Sequence, residues 1–361
     1  MKIAHVECGR HFYGGAQQVT WLIEGLAAKG VDSVLVCPPD SEVGAAARES
    51  NITVANISCA GEHDVGFAFR LYRFLCGERP DIVHCHSRRG ADFPGGWGAL
   101  AARIPAVVTR RVDSREAPTA AAIRYRPFAK VVAISENVAA VLTASNVRPR
   151  KLSVIRSAVD VDNIEVNADR SRLRDEFGIG GNAFAIAVVA QLIKRKGHRF
   201  LLDVLPGLLA EHPGIKVVFF GEGSGESQLR ALAARLGCSA AVQFAGFRHD
   251  LDEYLSAFDL LVHPADKEGL GVAILKASAA GLPVIAFNVA GCREAVQHLK
   301  TGVLVPLGNV HELQTAIGVL IEEPDIRAEL GAAGRQRMRG EFSLATMVDS
   351  YLGVYKEVLH G

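Results

Sequence analysis

The sequence predicts an α/β protein built from two doubly wound, Rossmann-like parallel-sheet domains. Short runs rich in β-branched residues alternate with longer amphipathic stretches, as in parallel strands joined by helices. The strand-like runs are apolar throughout, which is typical of a sheet covered on both faces. The chain has 361 residues, 49% of them apolar, and this length favours two domains over one.

The first half of the chain contains five predicted strands. A helix is predicted between the first two of them, at Ala16–Lys29, because Gly30 follows it as a C-terminal stop signal. The predicted strands are Ile3–Glu7, Ser33–Cys37, Ile82–His86, Ala106–Thr109 and Val131–Ser135.

The same alternation then repeats. Strands are predicted at Ala185–Ala190, Ile215–Phe220, Val242–Phe244, Leu260–His263, Pro283–Ala286 and Gly302–Val305. Helices are predicted at about Arg199–Glu211, Gly225–Leu236, His249–Ala257, Gly271–Ala280 and Val310–Glu322. The regular pattern lapses between Asp160 and Phe184. We therefore predict domains at residues 1–165 and 166–341, with an amphipathic helix in 342–361.

Composition narrows the class of protein. Charged residues make up 22% of the chain, which argues against disorder. No apolar run approaches the roughly 20 residues of a membrane helix, and the N-terminus enters a strand without a signal-peptide pattern. The seven cysteines are scattered and form no CxxC pair, as expected for reduced thiols. We expect a protein of the cytoplasm or of the inner face of the cytoplasmic membrane.

Charge is unevenly distributed along the chain. From Arg79 to Arg156 there are fourteen Lys/Arg and five Asp/Glu, although the whole chain has a net charge of only +1. A basic patch suggests an anionic acceptor or a peripheral contact with an anionic membrane. A solvated face balanced by other segments is equally compatible with these numbers. The segment has no nucleic-acid-binding motif or aromatic interleaving, so a nucleic-acid partner is not expected.

Two glycine-containing segments follow predicted strands and open helices. Gly14-Gly15 would let the backbone pass close to a ligand at a helix N-terminus, although such a pair is more often a simple turn. Lys194-Arg195-Lys196-Gly197 places three cations at the end of a strand, which suits a diphosphate. A solvated basic loop is the alternative for this second segment, but ligands of open α/β sheets bind at strand ends.

A third segment is Glu268-Gly269-Leu270-Gly271, ahead of a helix that contains Lys276. Its carboxylate could accept hydrogen bonds from sugar hydroxyls, or it could simply lie near a helix N-terminus. In the first half, His84 and His86 alternate on one strand face. They could ligate a metal, but no third ligand at suitable spacing is nearby. We expect a metal-free pair that lines a cleft.

In this order and spacing, the motifs resemble those of family 4 glycosyltransferases, the retaining group with the GT-B fold, over essentially the whole chain. Further matching segments are Gly14–Ala16, Ala133–Ser135, Phe220–Gly223, Val242–Phe247, Ala280–Ala286 and the late residues Gly291, Glu294, Thr301 and Gly302.

The resemblance implies two domains facing a cleft, with the glycan or glycolipid acceptor mainly on the first and a nucleotide-diphosphate sugar mainly on the second. The C-terminal helix would return to the first domain. The catalytic residues would be Arg195 and Lys196, which hold the diphosphate, and Glu268, which contacts the sugar. Neither a metal nor another cofactor is implied, and a uridine diphosphate hexose is the commonest donor. Further donor-binding residues would be Gly14, Gly15, Gly221, Phe247, Arg248, Gly269, Leu270, Gly271 and Lys276.

Departures from the family pattern bear on the donor and the acceptor. Lys276 stands where a second Glu commonly accepts the ribose hydroxyls, and an ammonium can only donate. Gln191 stands where many members have Arg, which leaves the diphosphate to Arg195 and Lys196. Arg111 stands where many members have a histidine. With Arg88 and Arg110 it suggests an anionic acceptor, such as a lipid-linked or lipopolysaccharide-core intermediate.

Two alternatives to an active transferase remain. A catalytically degenerate nucleotide-binding scaffold would explain Lys276, and a sugar-nucleotide epimerase could use the same fold. A dehydrogenase is disfavoured because no strand is followed by GxGxxG and an acidic residue about 20 positions later.

Overall fold

The computed structural model describes residues 1–86 and 90–361. The chain divides into two compact units. Met1–Ala158 and Leu344–Gly361 form the first, and Val159–Ser343 form the second. The chain thus passes from the first unit to the second after Ala158, whereas the predicted boundary is at residue 165. Among the described residues, no helix has the length and apolarity that crossing a membrane requires.

The first unit is built on a seven-stranded sheet in the order β3-β2-β1-β4-β5-β6-β7, and its paired strands run parallel. The strands are β1 (Lys2–Val6), β2 (Asp32–Cys37), β3 (Thr53–Asn56), β4 (Ile82–Cys85), β5 (Ala106–Arg110), β6 (Lys130–Ala133) and β7 (Leu152–Val154). The helices are α1 (Gly14–Ala27), α2 (Glu42–Glu49), α3 (Val65–Glu78), α4 (Phe93–Ala101), α5 (Pro118–Tyr125), α6 (Glu136–Ala144) and, at the C-terminus, α14 (Leu344–His360).

The second unit is built on a six-stranded parallel sheet in the order β10-β9-β8-β11-β12-β13. The strands are β8 (Phe184–Val189), β9 (Ile215–Phe220), β10 (Val242–Gly246), β11 (Leu260–His263), β12 (Val284–Phe287) and β13 (Val303–Val305). The helices are α7 (Ser171–Phe177), α8 (His198–Glu211), α9 (Glu226–Arg235), α10 (Val272–Ala279), α11 (Ala290–Ala295), α12 (Val310–Glu322) and α13 (Pro324–Glu341). The predicted fold class of two Rossmann-like α/β units is therefore confirmed.

One predicted helix is wrong. Residues 249–257 form two short 3-10 turns, Leu251–Glu253 and Leu255–Ala257, in place of a helix. Tyr254 lies between the turns with φ −142°, outside the helical range. The carboxylates of the segment pair with cations that lie outside it, Asp250 with Arg248, Asp252 with Lys276 and Glu253 with Arg172.

Helix α14 completes the core of the first unit. It packs against α1, and its buried residues lie in one apolar cluster with Ile3 of β1 and Ile82 of β4. A Cβ on Gly25 of α1 would stand 2.4 Å from a methyl carbon of Val348. Glycine at residue 25 therefore lets the two helices approach closely. The last eighteen residues therefore belong to the first core, although the whole second unit separates them from it in sequence.

Candidate functional site

Two loops of the second unit are locked together at the carboxyl edge of its sheet. Gly197 ends the cationic turn after β8 with φ +70°, and a Cβ there would stand 1.7 Å from the carbonyl oxygen of Pro264. The backbone N–H of Asp266 donates to the carbonyl of Arg195 at 2.9 Å. Only glycine fits at residue 197, and the turn is fixed against the loop that follows β11.

This contact brings two predicted site residues together. The Nζ of Lys196 lies 2.5 Å from Oε2 of Glu268, and Nε2 of His263 lies 2.9 Å from the same oxygen. The Lys196 and Glu268 side chains are only 12% and 13% exposed. Burial alone would raise the pKa of Glu268. The hydrogen bond and charge of His263 and the charge of Lys196 outweigh it, and the pKa lies well below its usual range. Glu268 is therefore an anion near neutral pH.

The backbone around Glu268 is equally constrained. The N–H of Gly269 donates to Oε1 of Glu268 at 3.1 Å. A Cβ on Gly291 would stand 2.2 Å from the carbonyl oxygen of Glu268, so α11 packs directly on this loop. Gly271, with φ +83°, leads into α10, while Leu270 is buried. The segment is thus a rigid support for one carboxylate.

Arg195 lies next to the Lys196–Glu268 pair but is not engaged by it. Its side chain is exposed and forms no ion pair or hydrogen bond within residues 1–86 and 90–361. A guanidinium in this state can bind an anionic ligand through a planar pair of N–H groups. The cationic turn therefore offers the exposed cations Lys194 and Arg195 and one cation, Lys196, that neutralises Glu268.

Lys276 pairs with a carboxylate that the sequence did not single out. Its Nζ lies 2.7 Å from Oδ2 of Asp252, and the side chains are 16% and 26% exposed. Asp252 lies in the first of the two 3-10 turns. Its other oxygen, Oδ1, is buried and has no hydrogen-bond partner in the described part of the chain. A carboxylate is thus present beside Lys276 after all, contributed by a different segment.

The remaining predicted residues of the second unit lie at the ends of β9 and β10. Gly221 has φ +131°, and a Cβ there would stand 2.2 Å from the carbonyl oxygen of Ala190. Arg248 is paired with Asp250 at 2.7 Å and Glu176 at 3.0 Å. Phe247 is 39% exposed. The aromatic ring is therefore accessible to a flat ligand, while the charge of Arg248 is already balanced.

The first unit has a pocket of about 310 Å³ at the carboxyl edge of its sheet. Gly15, Arg110 and Arg111 line it, and Gly14 starts the adjacent helix α1. Arg110 is 3% exposed and its guanidinium holds the following loop, with Nη1 3.1 Å from Glu116 and Nη2 2.7 Å from the carbonyl of Ser114. Arg110 therefore shapes the wall of the pocket.

Arg111 is an available cation of this pocket, which the exposed Arg10 also lines. It is half-buried, its Nε has no partner, and its side chain makes no ion pair with any described residue. Its Cδ lies 3.4 Å from where a Cβ on Gly15 would stand, so the arginine lies across the start of α1. The third predicted acceptor residue, Arg88, lies outside the described residues.

His84 and His86 have a neighbour that the sequence analysis missed. His5 of β1 pairs in register with His84 of β4, and ligand atoms of the three buried imidazoles lie within 4.8 Å of one another. Both nitrogens of His84 are occupied by hydroxyls, those of Tyr355 at 2.7 Å and Thr109 at 2.8 Å. Nδ1 of His5 lies 2.9 Å from Nε2 of His86. Burial lowers the pKa of His5 to about 3, so the cluster is a neutral hydrogen-bonded network.

Sequence reasoning missed three site neighbours, namely His5, Asp252 and His263. His263 carried a usable signal because it ends a predicted strand just before Glu268, and strand ends line ligand sites in open α/β sheets. Asp252 was hidden within the helix predicted wrongly at 249–257. His5 could be found only from the register of two strands far apart in sequence.

Two family models match the chain, one on each side of residue 165. The model described as "Glycosyltransferase Family 4" matches residues 13–163, and "Glycosyl transferases group 1" matches residues 169–337. A relative that aligns over nearly the whole chain is the lipopolysaccharide core biosynthesis glycosyltransferase LpsE of Rhizobium meliloti. It is 25% identical over 360 residues, which cover 98% of each chain.

A second relative matches only half of the chain. It is the GDP-mannose-dependent α-(1-6)-phosphatidylinositol monomannoside mannosyltransferase of Mycobacterium tuberculosis, 32% identical over 206 residues, covering 54% of this chain and 53% of its own. Among solved structures, Anabaena HepE in complex with UDP-glucose superposes with a TM-score of 0.88, covering 99% of this chain and all of its own at 21% identity. That likeness is one of fold, which is GT-B. Together, the two family models and these relatives show that the chain is a glycosyltransferase and belongs to the group 1 transferases of family 4.

Proposed function

We propose that the chain transfers a hexose from a nucleotide-diphosphate donor to an anionic or lipid-linked glycan acceptor, with retention of anomeric configuration, in the synthesis of a cell-surface polysaccharide or lipopolysaccharide. The observation that carries the proposal is the Lys196–Glu268–His263 cluster beside the free Arg195. A fixed carboxylate suits sugar hydroxyls, and two neighbouring cations suit a diphosphate. The second unit would take the donor and the first unit the acceptor.

The reaction would proceed without a metal, because Arg195 and Lys196 supply the charge that a leaving diphosphate needs. The bond between the anomeric carbon and the phosphate oxygen breaks, and its electron pair goes to the diphosphate. The acceptor oxygen then bonds to the same face of the anomeric carbon, and its proton passes to the leaving phosphate. Glu268 would hold the sugar and stabilise the positive charge that develops on its ring.

A uridine diphosphate hexose is the donor we favour, with GDP-mannose as the second candidate. HepE, of the same fold, is solved with UDP-glucose, and the mycobacterial relative depends on GDP-mannose. Phe247 offers an exposed ring for either base. The pocket around Arg111 would receive the acceptor, whose phosphate or carboxylate would pair with that guanidinium.

Thermal stabilisation by a panel of UDP- and GDP-sugars tests the donor. A ligand at about 100 times its Kd adds about 2.7 kcal/mol to the stability of the folded state. If no nucleotide sugar raises the melting temperature, donor binding is refuted. Turnover of the stabilising donor without an acceptor would favour the epimerase alternative. Binding without transfer to any phosphorylated or carboxylated glycan would favour the scaffold.

Two further measurements address the mechanism. The anomeric configuration of the product, read by NMR, tests retention. Transfer in the presence of excess EDTA tests metal independence, and we expect the rate to be unchanged. Loss of turnover in EDTA that returns on adding Mg²⁺ would contradict the proposed role of Arg195 and Lys196.

The basic segment from Arg79 to Arg156 would place the first unit against an anionic membrane. Binding to vesicles that contain phosphatidylglycerol, but not to phosphatidylcholine vesicles, is expected at low salt and should weaken as salt screens the charges. Equal binding to both vesicle types would contradict this contact.

A further inference from the structure

We propose that His263 is the positioning residue that keeps Glu268 in place while Lys196 moves from Glu268 to the donor diphosphate. This inference rests on the proposed function, because it assigns Lys196 to the phosphates and Glu268 to the sugar. His263 thereby joins the site, and the two partners of Glu268 have different roles, since His263 stays and Lys196 moves.

The two partners of Glu268 differ in their freedom to move. Both contact the same oxygen, Oε2, at 2.5 Å from Lys196 and 2.9 Å from His263. His263 is the last residue of β11, is 2% exposed, and has only two rotatable side-chain bonds. Lys196 reaches the carboxylate with a flexible four-carbon stem and carries three donors on one ammonium. Lys196 is therefore the partner that can exchange ligands.

The proton arrangement of His263 fits a permanent contact. An ionised carboxylate only accepts hydrogen bonds, so His263 must donate to Glu268 through its Nε2–H. Its other nitrogen, Nδ1, is buried and has no partner among the described residues. Nε2 is thus the ring nitrogen through which His263 holds Glu268.

A third histidine of the second unit, His198, is compatible with this arrangement. His198 is 2% exposed, and neither of its ring nitrogens has a hydrogen-bond partner in the described chain. Burial, and then the charges of His263 and Lys196, lower the pKa of His198 to about 4, so it adds no cation there. After Lys196 leaves, Oε2 of Glu268 would keep His263 and Oε1 would keep the N–H of Gly269. A buried carboxylate that lost every partner would be strongly destabilising.

The test separates the sugar contribution to binding from that of the nucleotide. Calorimetry would give Kd for UDP and UDP-glucose, and for GDP and GDP-mannose, with each full-length variant. For the pair that the wild type binds, the Kd of the nucleotide divided by the Kd of the nucleotide sugar reports the contact with the sugar. Replacement of His263 by Asn puts the amide near the position of Nδ1, out of reach of Glu268. Replacement by Gln puts an amide N–H near the position of Nε2.

We expect His263→Asn to lower that ratio about tenfold, the scale of one hydrogen bond to a charged group, and His263→Gln to retain most of it. Lys196→Met should weaken the nucleotide and the nucleotide sugar by the same factor, because it acts on the phosphates. His311→Asn, at an exposed position of α12, serves as the matched control and should change neither Kd.

In a Glu268→Gln background the anion is gone, so His263→Asn should no longer alter the ratio, and this background also guards against misfolding of the single variant. A wild-type ratio in His263→Asn, or an equal loss in the Gln and Asn variants, would overturn the positioning role. If the wild type binds neither nucleotide pair, the proposed function fails and this inference fails with it.

Discussion

Replacing Lys196 by Met should lower the stability of the second unit, because it removes one partner of the buried Glu268 carboxylate. Removing one partner of a buried ion pair costs about 3–5 kcal/mol. Here Glu268 keeps His263 and the N–H of Gly269, and both charged side chains retain some exposure. We therefore expect a loss of about 2 kcal/mol. For a unit of this size that corresponds to a fall in melting temperature of about 4–8 °C, measurable by scanning calorimetry without ligand.

The pH dependence of that loss identifies its cause. The pKa of Glu268 is lowered in the folded protein, so its stabilising contribution is present above the unfolded value of about 4.3 and is lost as pH falls from there through the lowered value of the folded state. The difference between wild type and Lys196→Met should be largest near neutral pH and should shrink on acidification. The stability difference caused by Lys196→Met should also be smaller in a Glu268→Gln background. A difference that is the same in the Glu268→Gln background as in the wild-type background would refute the reasoning.

Three other substitutions have defined outcomes. Gly197→Ala should cost about 3 kcal/mol in the second unit, seen as a lower melting temperature, because its Cβ would clash with the carbonyl of Pro264 at a positive φ. Lys276→Glu should turn its attraction to Asp252 into repulsion, lower stability by about 1 kcal/mol and change the affinity for UDP. Arg110→Ala should destabilise the first unit by about 3 kcal/mol, because it removes one of the arginines that pair with buried Glu116 and the donor to the carbonyl of Ser114.

Each of these predictions has a control in the same unit. Gly181→Ala meets no atom within 4 Å and should be neutral, so equal losses at residues 181 and 197 would contradict the steric argument. The charge swap Lys276→Glu with Asp252→Lys should restore stability, and a swap that is no better than the single change would show that the pair does not interact. Arg148 is exposed, so Arg148→Ala should leave melting unchanged.

The apolar patterns were sufficient for the central elements of the fold. Strands Ile215–Phe220 and Leu260–His263 and helix Val310–Glu322 have the predicted bounds, because continuous apolar runs and a long amphipathic stretch are strong signals. The edge strands β3 and β7 were not predicted. They have four and three residues, and none of these is fully buried, so hydrophobic pattern alone could not distinguish them from loops.

The site was predictable only in part, for a similar reason. The resemblance singled out Lys196 and Glu268, and the structure joins them although 72 residues separate them. The contact of Lys276 with Asp252 depends on how the chain turns at residues 249–257, where the helical spacing was misleading. Side-chain pairing of this kind follows from tertiary position, which local spacing does not encode.

The place of α14 has a consequence for synthesis of the protein. Tyr351 and Tyr355 of this helix reach Thr109 and His84 in the first sheet, yet residues 344–361 leave the ribosome after the entire second unit. One apolar face of the first sheet therefore stays uncovered until residues 344–361 have been synthesised. A chain stalled before residue 344 would present that face to chaperones and to other nascent chains. Supplying residues 344–361 as a separate peptide to such a fragment should restore its solubility.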